Sequence, residues 1–383
     1  MSDGCKSILF YSDAAEYGGH EAMTLEAVRC FCQNPDLNLS FAFYGRNDRL
    51  RERLKAIKSS SGNLALLPLD FRPKSLSALR ALVSLTKIKR IKALMKQINP
   101  DVVVVSQGRI EASSMGLLAA KRAGFETISY IPMAHPVCVS GKPFALWLRE
   151  KVNGYFYRLP DKIITISETA RLMLLERGAS SNIVVVPNGI EARAIRVSDR
   201  QRFRETHGIE RDDYVVAVVG RIDFRQKGQD FALQAISRFQ RELRDYRFLF
   251  IGGGPDEHKL RTFITSLNLE QKVQVLLWNQ EPAEIYAGID MLLIPSRFEG
   301  VPLVMLEAMS CGLPVVASNV DGMAELLPPT WLFPYGNCRA LIDTLLHVRN
   351  SDNSSLLELH QNRIVNEFST ENFCLKLNQA VFE

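Results

Sequence analysis

The chain has 383 residues, 46% of them apolar, with 47 Lys/Arg against 42 Asp/Glu. That length exceeds what one hydrophobic core ordinarily organises, so two domains are expected, and no apolar run approaches the roughly 18 residues of a membrane-spanning helix. The opening Met-Ser-Asp-Gly-Cys-Lys lacks a cleavable signal pattern, and the seven cysteines show neither a C-x-x-C pair nor zinc-ligand spacing, so reduced thiols in a cytoplasmic protein are expected.

Apolar, β-branched runs alternate with helical stretches along the whole chain. In the first half these runs are Ser7 to Tyr11, Leu39 to Tyr44, Asp101 to Val105, Thr127 to Ile131, Lys162 to Ile166 and Asn182 to Val186. In the second they are Tyr214 to Val219, Arg247 to Ile251, Val273 to Leu277, Met291 to Ile294 and Pro314 to Ala317. Continuous rather than alternating apolar runs mean strands covered on both faces, hence parallel sheets flanked by helices. The turn Pro187-Asn188-Gly189 and the polar run Glu191 to Asp213 place a boundary between two doubly wound α/β units. The expected domains are 1–195 and 196–365, with a C-terminal helix in 366–383 free to cross back to the first.

Charge is uneven. Gly45 to Gln97 carries fourteen Lys/Arg against three Asp/Glu. Ile88, Ile91, Leu94, Met95 and Ile98 form one apolar helix face opposite Lys89, Lys92 and Lys96. Packing of that face on its own sheet is the plain reading. The basic region 46–96 could still meet an anionic membrane surface. No nucleic-acid module accompanies it, which disfavours nucleic acid as a partner.

The chemistry concentrates in the second half. Gly220 and Arg221 end one strand, and Lys227 follows six residues later at a helix start, so two cations stand where a parallel sheet binds diphosphates. A charge-rich solvated loop, with Arg225 included, is the alternative. Glu299 lies at a Gly300 turn after the strand Met291 to Pro295, and Glu307 about two turns into the next helix, spaced E-x7-E. Pro302 is expected at the first helical position. Helix N-termini bind anions and carboxylates accept sugar hydroxyls, so a nucleotide sugar fits this arrangement. Gly18-Gly19 precede a helix expected near Glu21, and Gly252-Gly253-Gly254 reads mainly as a tight turn. His135 closes the run T-I-S-Y-I-P-M-A-H, where a structural role is the commoner outcome for a lone histidine.

Together G-R-I-D-F-R-Q-K-G at Gly220 to Gly228, G-G-G-P at Gly252 to Pro255 and P-S-R-F-E-G-V-P-L-V-M-L-E at Pro295 to Glu307 resemble glycosyltransferase family 4. V-P-N-G-I at Val186 to Ile190 and Y-G-G at Tyr17 to Gly19 are weaker parts of the match. The resemblance implies the GT-B fold, two Rossmann-like domains with the active site in the crevice between them, and retaining transfer. It implies that Arg221 and Lys227 hold the donor diphosphate, that Glu299 holds hydroxyls of the transferred sugar and that Glu307 holds the ribose. It further implies donor contacts from Gly19, Gly300, Val301 and Leu303, a place for His135 beside the sugar, and the base near Trp278 and Asn279. No D-x-D motif is present, so no metal cofactor is expected, and the donor nucleotide sugar is the substrate rather than a cofactor. The acceptor would be a glycan or lipid-linked molecule, with the enzyme cytoplasmic or peripheral at the inner face of a membrane. A nucleotide-sugar 2-epimerase and a non-catalytic nucleotide- or glycan-binding subunit share this architecture and remain alternatives.

Overall fold

A computed structural model of the chain describes residues 7–71, 77–135, 143–191, 197–277 and 282–383. They form two compact units, one running to Gly189 and resuming at Thr370–Glu383, the other Ile190–Ser369. The crossings lie at 189/190 and 369/370, against the expected 195/196 and 365/366. Ile190 bridges Ser369, and its N–H donates to the Phe368 carbonyl at 2.8 Å, so the second unit's entry and exit are tied together.

The first unit is a seven-stranded parallel sheet. Its strands are β1 (Ser7–Ser12), β2 (Asn38–Tyr44), β3 (Leu64–Leu69), β4 (Val102–Ser106), β5 (Glu126–Tyr130), β6 (Lys162–Thr165) and β7 (Ile183–Val185), in the order 3-2-1-4-5-6-7. Ile8 of β1 pairs with Leu39 on one side and Val102 on the other. β4 is buried along its whole length, as a strand covered by helices on both faces must be. β3 is absent from the apolar-run reading because it is a half-exposed edge strand that includes Pro68, a residue tolerated only where no ladder N–H is needed.

The second unit repeats the plan with six strands. They are β8 (Tyr214–Val219), β9 (Tyr246–Ile251), β10 (Val273–Leu276), β11 (Met291–Ile294), β12 (Val315–Ser318) and β13 (Leu332–Phe333), in the order 10-9-8-11-12-13, all parallel. The two-residue β13 is too short to leave a periodic signal. Each sheet grows outward from its first strand and then reverses, placing switch points between β1 and β4 and between β8 and β11. Ligands bind at such points, beyond the carboxyl ends of the strands.

The helix Thr370–Phe382 belongs to the first unit, where it packs on the helix Gly19–Cys32. A Cys30–Cys374 disulfide joins the two, Phe382 meets Phe31 edge-on, and Lys162 donates to the Ala380 carbonyl. This corrects the expectation of reduced thiols throughout. The partners are 344 residues apart in sequence, and only the fold brings them together. Among the described residues Cys32, Cys311 and Cys338 form no disulfide. In the basic region, Ile88, Ile91 and Met95 are buried in the core, so the apolar face of the helix Leu85–Ile98 is committed to its own sheet.

Candidate active site

In the second unit, β8 and β11 deliver the charged residues to the switch point. Gly220-Arg221 follow the end of β8, and a short helix Phe224–Lys227 comes next, capped by the Asp223 side chain accepting from the Arg225 N–H. β11 ends just before Ser296. The Lys227 ammonium lies 2.5 Å from Oε1 of Glu299, and the Ser296 hydroxyl donates to that same oxygen at 2.7 Å. Glu299 is 5% exposed and Lys227 20%, so this ion pair is largely withdrawn from water. Glu299 Oε2 has no protein partner among the described residues, and two of the three Lys227 donors are likewise unused. A carboxylate oxygen and ammonium donors are thus both available to a ligand at one spot.

Backbone packing holds this pair in place. Gly228 adopts a left-handed φ of +64°, and a Cβ there would lie 2.0 Å from the Pro295 carbonyl oxygen. Only glycine permits the loop after β8 to approach the loop after β11 so closely. The Arg297 N–H donates to the Gln226 carbonyl across the same seam, and Arg297 forks onto Asp230 at 2.8 and 3.1 Å. The Glu299 N–H donates to Asp321 Oδ2 at 2.8 Å, which fixes the turn carrying the carboxylate. The Gly252-Gly253-Gly254 turn packs against the loop after β8, since the Ile222 N–H donates to the Gly253 carbonyl and a Gly254 Cβ would strike Ile222.

Arg221 is more exposed, at 45%, and pairs with Asp223 at 3.1 Å while also donating to Gln226. It shares a loop with Lys227 but does not join the ion pair. Pro302 is the cap of the helix Leu303–Ser310 and not its first helical residue: its ψ of 130° is extended, and its carbonyl accepts the first helical bonds. Glu307 is therefore little more than one turn into the helix, where the Tyr286 hydroxyl donates to it at 2.6 Å. Gly300, Val301 and Leu303 form the turn and first helical position beneath Glu299.

The switch point of the first unit is built differently. Gly19 opens the helix Gly19–Cys32, which begins two residues before the expected Glu21. Glu21 turns back to accept the Gly18 N–H at 2.8 Å and also meets His20 Nδ1 at 3.0 Å. Burial opposes its ionisation, but His20 and the backbone donors hold Glu21 below the usual carboxylate range. His20 Nε2 reaches the Ser106 hydroxyl at the end of β4 at 2.8 Å, and Ser106 meets Thr24 at 2.6 Å. The His20 ring stacks on Tyr130 at the end of β5. Asp13, also at this edge, accepts the Ser113 N–H, and burial raises its pKa to about 6. His135 is half-buried five residues beyond the end of β5, in a loop rather than a strand end.

The structure brings Lys227, Glu299 and the Gly300–Leu303 turn together, and places Arg221 and Glu307 on neighbouring loop and helix. Gly19 and His135 lie in the other unit. Trp278 and Asn279 fall outside the described residues. Ser296, Tyr286 and Asp321 hold the candidate carboxylates and are given no role in the sequence reading; Ser296 within P-S-R-F-E and the Asp321-Gly322 step after β12 are the signals that could have found them. Among the described residues no helix is long and apolar enough to cross a membrane.

Comparison with known proteins assigns both halves. Residues 32–189 match the family described as "Glycosyl transferase 4-like domain" and residues 199–352 the family described as "Glycosyl transferases group 1". The chain is 26% identical over 312 residues to an Escherichia coli UDP-Gal:alpha-D-GlcNAc-diphosphoundecaprenol alpha-1,3-galactosyltransferase, covering 76% of each protein. It is 25% identical to the lipopolysaccharide 1,6-galactosyltransferase of Salmonella typhimurium over 84% of this chain and 83% of that one. Among solved structures, Anabaena Alr3699/HepE in complex with UDP-glucose superposes with a TM-score of 0.79 at 18% identity, covering 98% of this chain and 99% of that one. This last likeness is one of fold.

Proposed function

Because the chain belongs to the glycosyltransferases of the 4-like and group 1 families, with the GT-B fold, we propose that it is a metal-independent retaining hexosyltransferase acting from a nucleoside diphosphate sugar. The relatives' names favour a UDP-hexose as donor and a lipid-linked or glycan acceptor. The observation that carries the reading is the Lys227–Glu299 pair at the β8/β11 switch point, with donors and an acceptor oxygen left over for ligand.

In this proposal Lys227 turns its unused N–H groups to the diphosphate, and Arg221 supplies a second cation from the same loop. The N–H groups of Gly300, Val301 and Leu303 serve the same charge; Pro302 has none to give. Glu299 Oε2 accepts a hydroxyl of the hexose, and Glu307 accepts the ribose hydroxyls in place of Tyr286. The bond between C1 and the β-phosphate oxygen breaks, and the acceptor oxygen bonds to C1 on the same face. The acceptor proton passes to the departing phosphate oxygen. Negative charge grows on the leaving diphosphate, so fixed cations there stabilise the transition state more than the ground state. These cations take the part a metal would otherwise play.

Peripheral membrane contact through the region 46–96 is a further part of the proposal. Val83 is 76% exposed beside Leu85, and Lys89 and Lys96 are exposed. Lys92 instead donates to the Arg122 carbonyl. Unchanged sedimentation with anionic vesicles after Lys89→Glu and Lys96→Glu would count against this contact.

The function is tested by thermal shift with UDP, GDP, ADP and their hexose conjugates in EDTA, each variant compared with its own ligand-free baseline. UDP and one UDP-hexose should raise the melting temperature of the wild type by a few degrees at about 100 times Kd, equivalent to about 2.7 kcal/mol, and leave Lys227→Ala unmoved. Absence of any shift, or a shift only with added divalent metal, would overturn the donor site as drawn. The product anomer, read by NMR, tests retention.

A further inference from the structure

The helix Asp48–Ser61 follows β2, which lies beside β1, so its first turns stand at the same sheet edge as Gly18-Gly19. Asn47 caps it and donates to the Ala14 carbonyl, tying the helix start to the loop after β1. Three arginines on this helix behave unequally. Arg51 is committed to Asp48 at 2.6 Å and to the Gly45 carbonyl. Arg49 and Arg53 both lie over the ring of Tyr17, at 4.9 and 5.8 Å from its centre, and neither has a carboxylate within ion-pair distance among the described residues. Both are exposed.

Like charges at i and i+4 destabilise a helix by a few tenths of a kcal/mol, and an aromatic face offsets part of that cost. The result is two guanidinium forks held side by side with their N–H groups uncommitted. Burial raises the pKa of Tyr17, so its hydroxyl stays a donor. Glu21, whose charge acts on Tyr17, is occupied by the Gly18 N–H and His20. Adjacent forks with a hydroxyl donor match the oxygens of a phosphate dianion, which one guanidinium alone cannot surround.

We propose that Arg49, Arg53 and Tyr17 form a phosphate clamp that anchors the acceptor by a phosphate or diphosphate group, leaving its reacting hydroxyl free. The inference rests on the reading of this chain as a glycosyltransferase with its acceptor in the first unit. The same chemistry could arrive on a soluble sugar phosphate or on a membrane-borne isoprenyl diphosphate.

The test is calorimetric titration of inorganic pyrophosphate into protein already saturated with UDP, comparing wild type with Arg49→Gln/Arg53→Gln. Pyrophosphate should bind the wild type and bind the double variant at least about tenfold more weakly, because both guanidinium forks are lost. The UDP affinity should not change. Arg49→Lys/Arg53→Lys should restore part of the binding. Equal pyrophosphate affinities, or no binding to the wild type, overturn the clamp. If UDP itself fails to bind, the donor reading fails, and the same contrast in a Lys227→Ala background still decides the clamp. Glucose 1-phosphate titration and flotation with phosphatidylcholine vesicles carrying farnesyl diphosphate separate the two sources; a loss confined to either one in the double variant supports the clamp and identifies the source.

Discussion

The β8/β11 edge of the second unit and the β1/β4 edge of the first are the same topological place built in two materials. At β8/β11 an ammonium and a carboxylate are buried against each other, and glycine backbones interlock with no room for a methyl group. At β1/β4 the buried groups are a chain of hydroxyls, an imidazole and Glu21, while the cations stand outside on a helix. On the proposed function, the first arrangement suits a ligand whose diphosphate and sugar always arrive in one geometry. The second suits ligands that differ beyond a common charged group, because exposed side chains can be exchanged without disturbing the sheet.

That contrast can be broken in order of expected effect. Gly228→Ala forces a Cβ to within 2.0 Å of the Pro295 oxygen at a left-handed φ. It should cost about 3 to 4 kcal/mol in urea unfolding of the second unit; a loss below 1 kcal/mol would mean that the seam is loose. Lys227→Ala strands the Glu299 carboxylate and should cost about 3 kcal/mol, with transfer slowed about a hundredfold or more. Adding Glu299→Gln should recover much of the stability and none of the rate. If the double variant is no more stable than the single, the two charges are not coupled.

The smallest effect concerns pH, and its sign differs between the units. Burial raises Asp13 from 3.8 to about 6, so between those values the folded first unit holds more protons than the unfolded chain and becomes less stable as pH rises. Burial lowers His360 from 6.5 to about 4, so the unfolded second unit holds more protons in that window, and stability present above pH 6.5 is lost as pH falls. Lowering pH from 7 to 4.5 should therefore favour the first unit and weaken the second, each on the order of 2 kcal/mol. Asp13→Asn and His360→Gln should each flatten one slope in pH-resolved hydrogen exchange. Parallel slopes in both units would show that other carboxylates dominate.

How far the sequence discloses this contrast depends on the kind of interaction. Val102 to Val105 announces a buried strand because both faces are covered, so every position is apolar. β3 does not, since an edge strand mixes exposure with a proline. The spacing of Arg221, Lys227, Glu299 and Glu307 is legible because it falls within a local strand–loop–helix repeat. The bond between Lys227 and Glu299 is not, nor is the Tyr286 hold on Glu307, because each crosses between loops that only strand order makes neighbours. The position of Pro302 misleads for a related reason: a proline suits either the cap or the first turn, and only ψ separates them. Arg49 and Arg53 look like part of a uniformly basic stretch until Tyr17 and Asp48 sort them from Arg51.

The Cys30–Cys374 bond has a mechanical consequence. A force applied between the two ends of the chain runs from the N-terminus to Cys30, across the sulfurs, and out through Cys374 to the C-terminus. Every residue from 31 to 373, the whole second unit included, lies off that load path. Stretched by its ends under oxidising conditions, the protein should yield only a short extension; adding reductant should release the full contour length of both units.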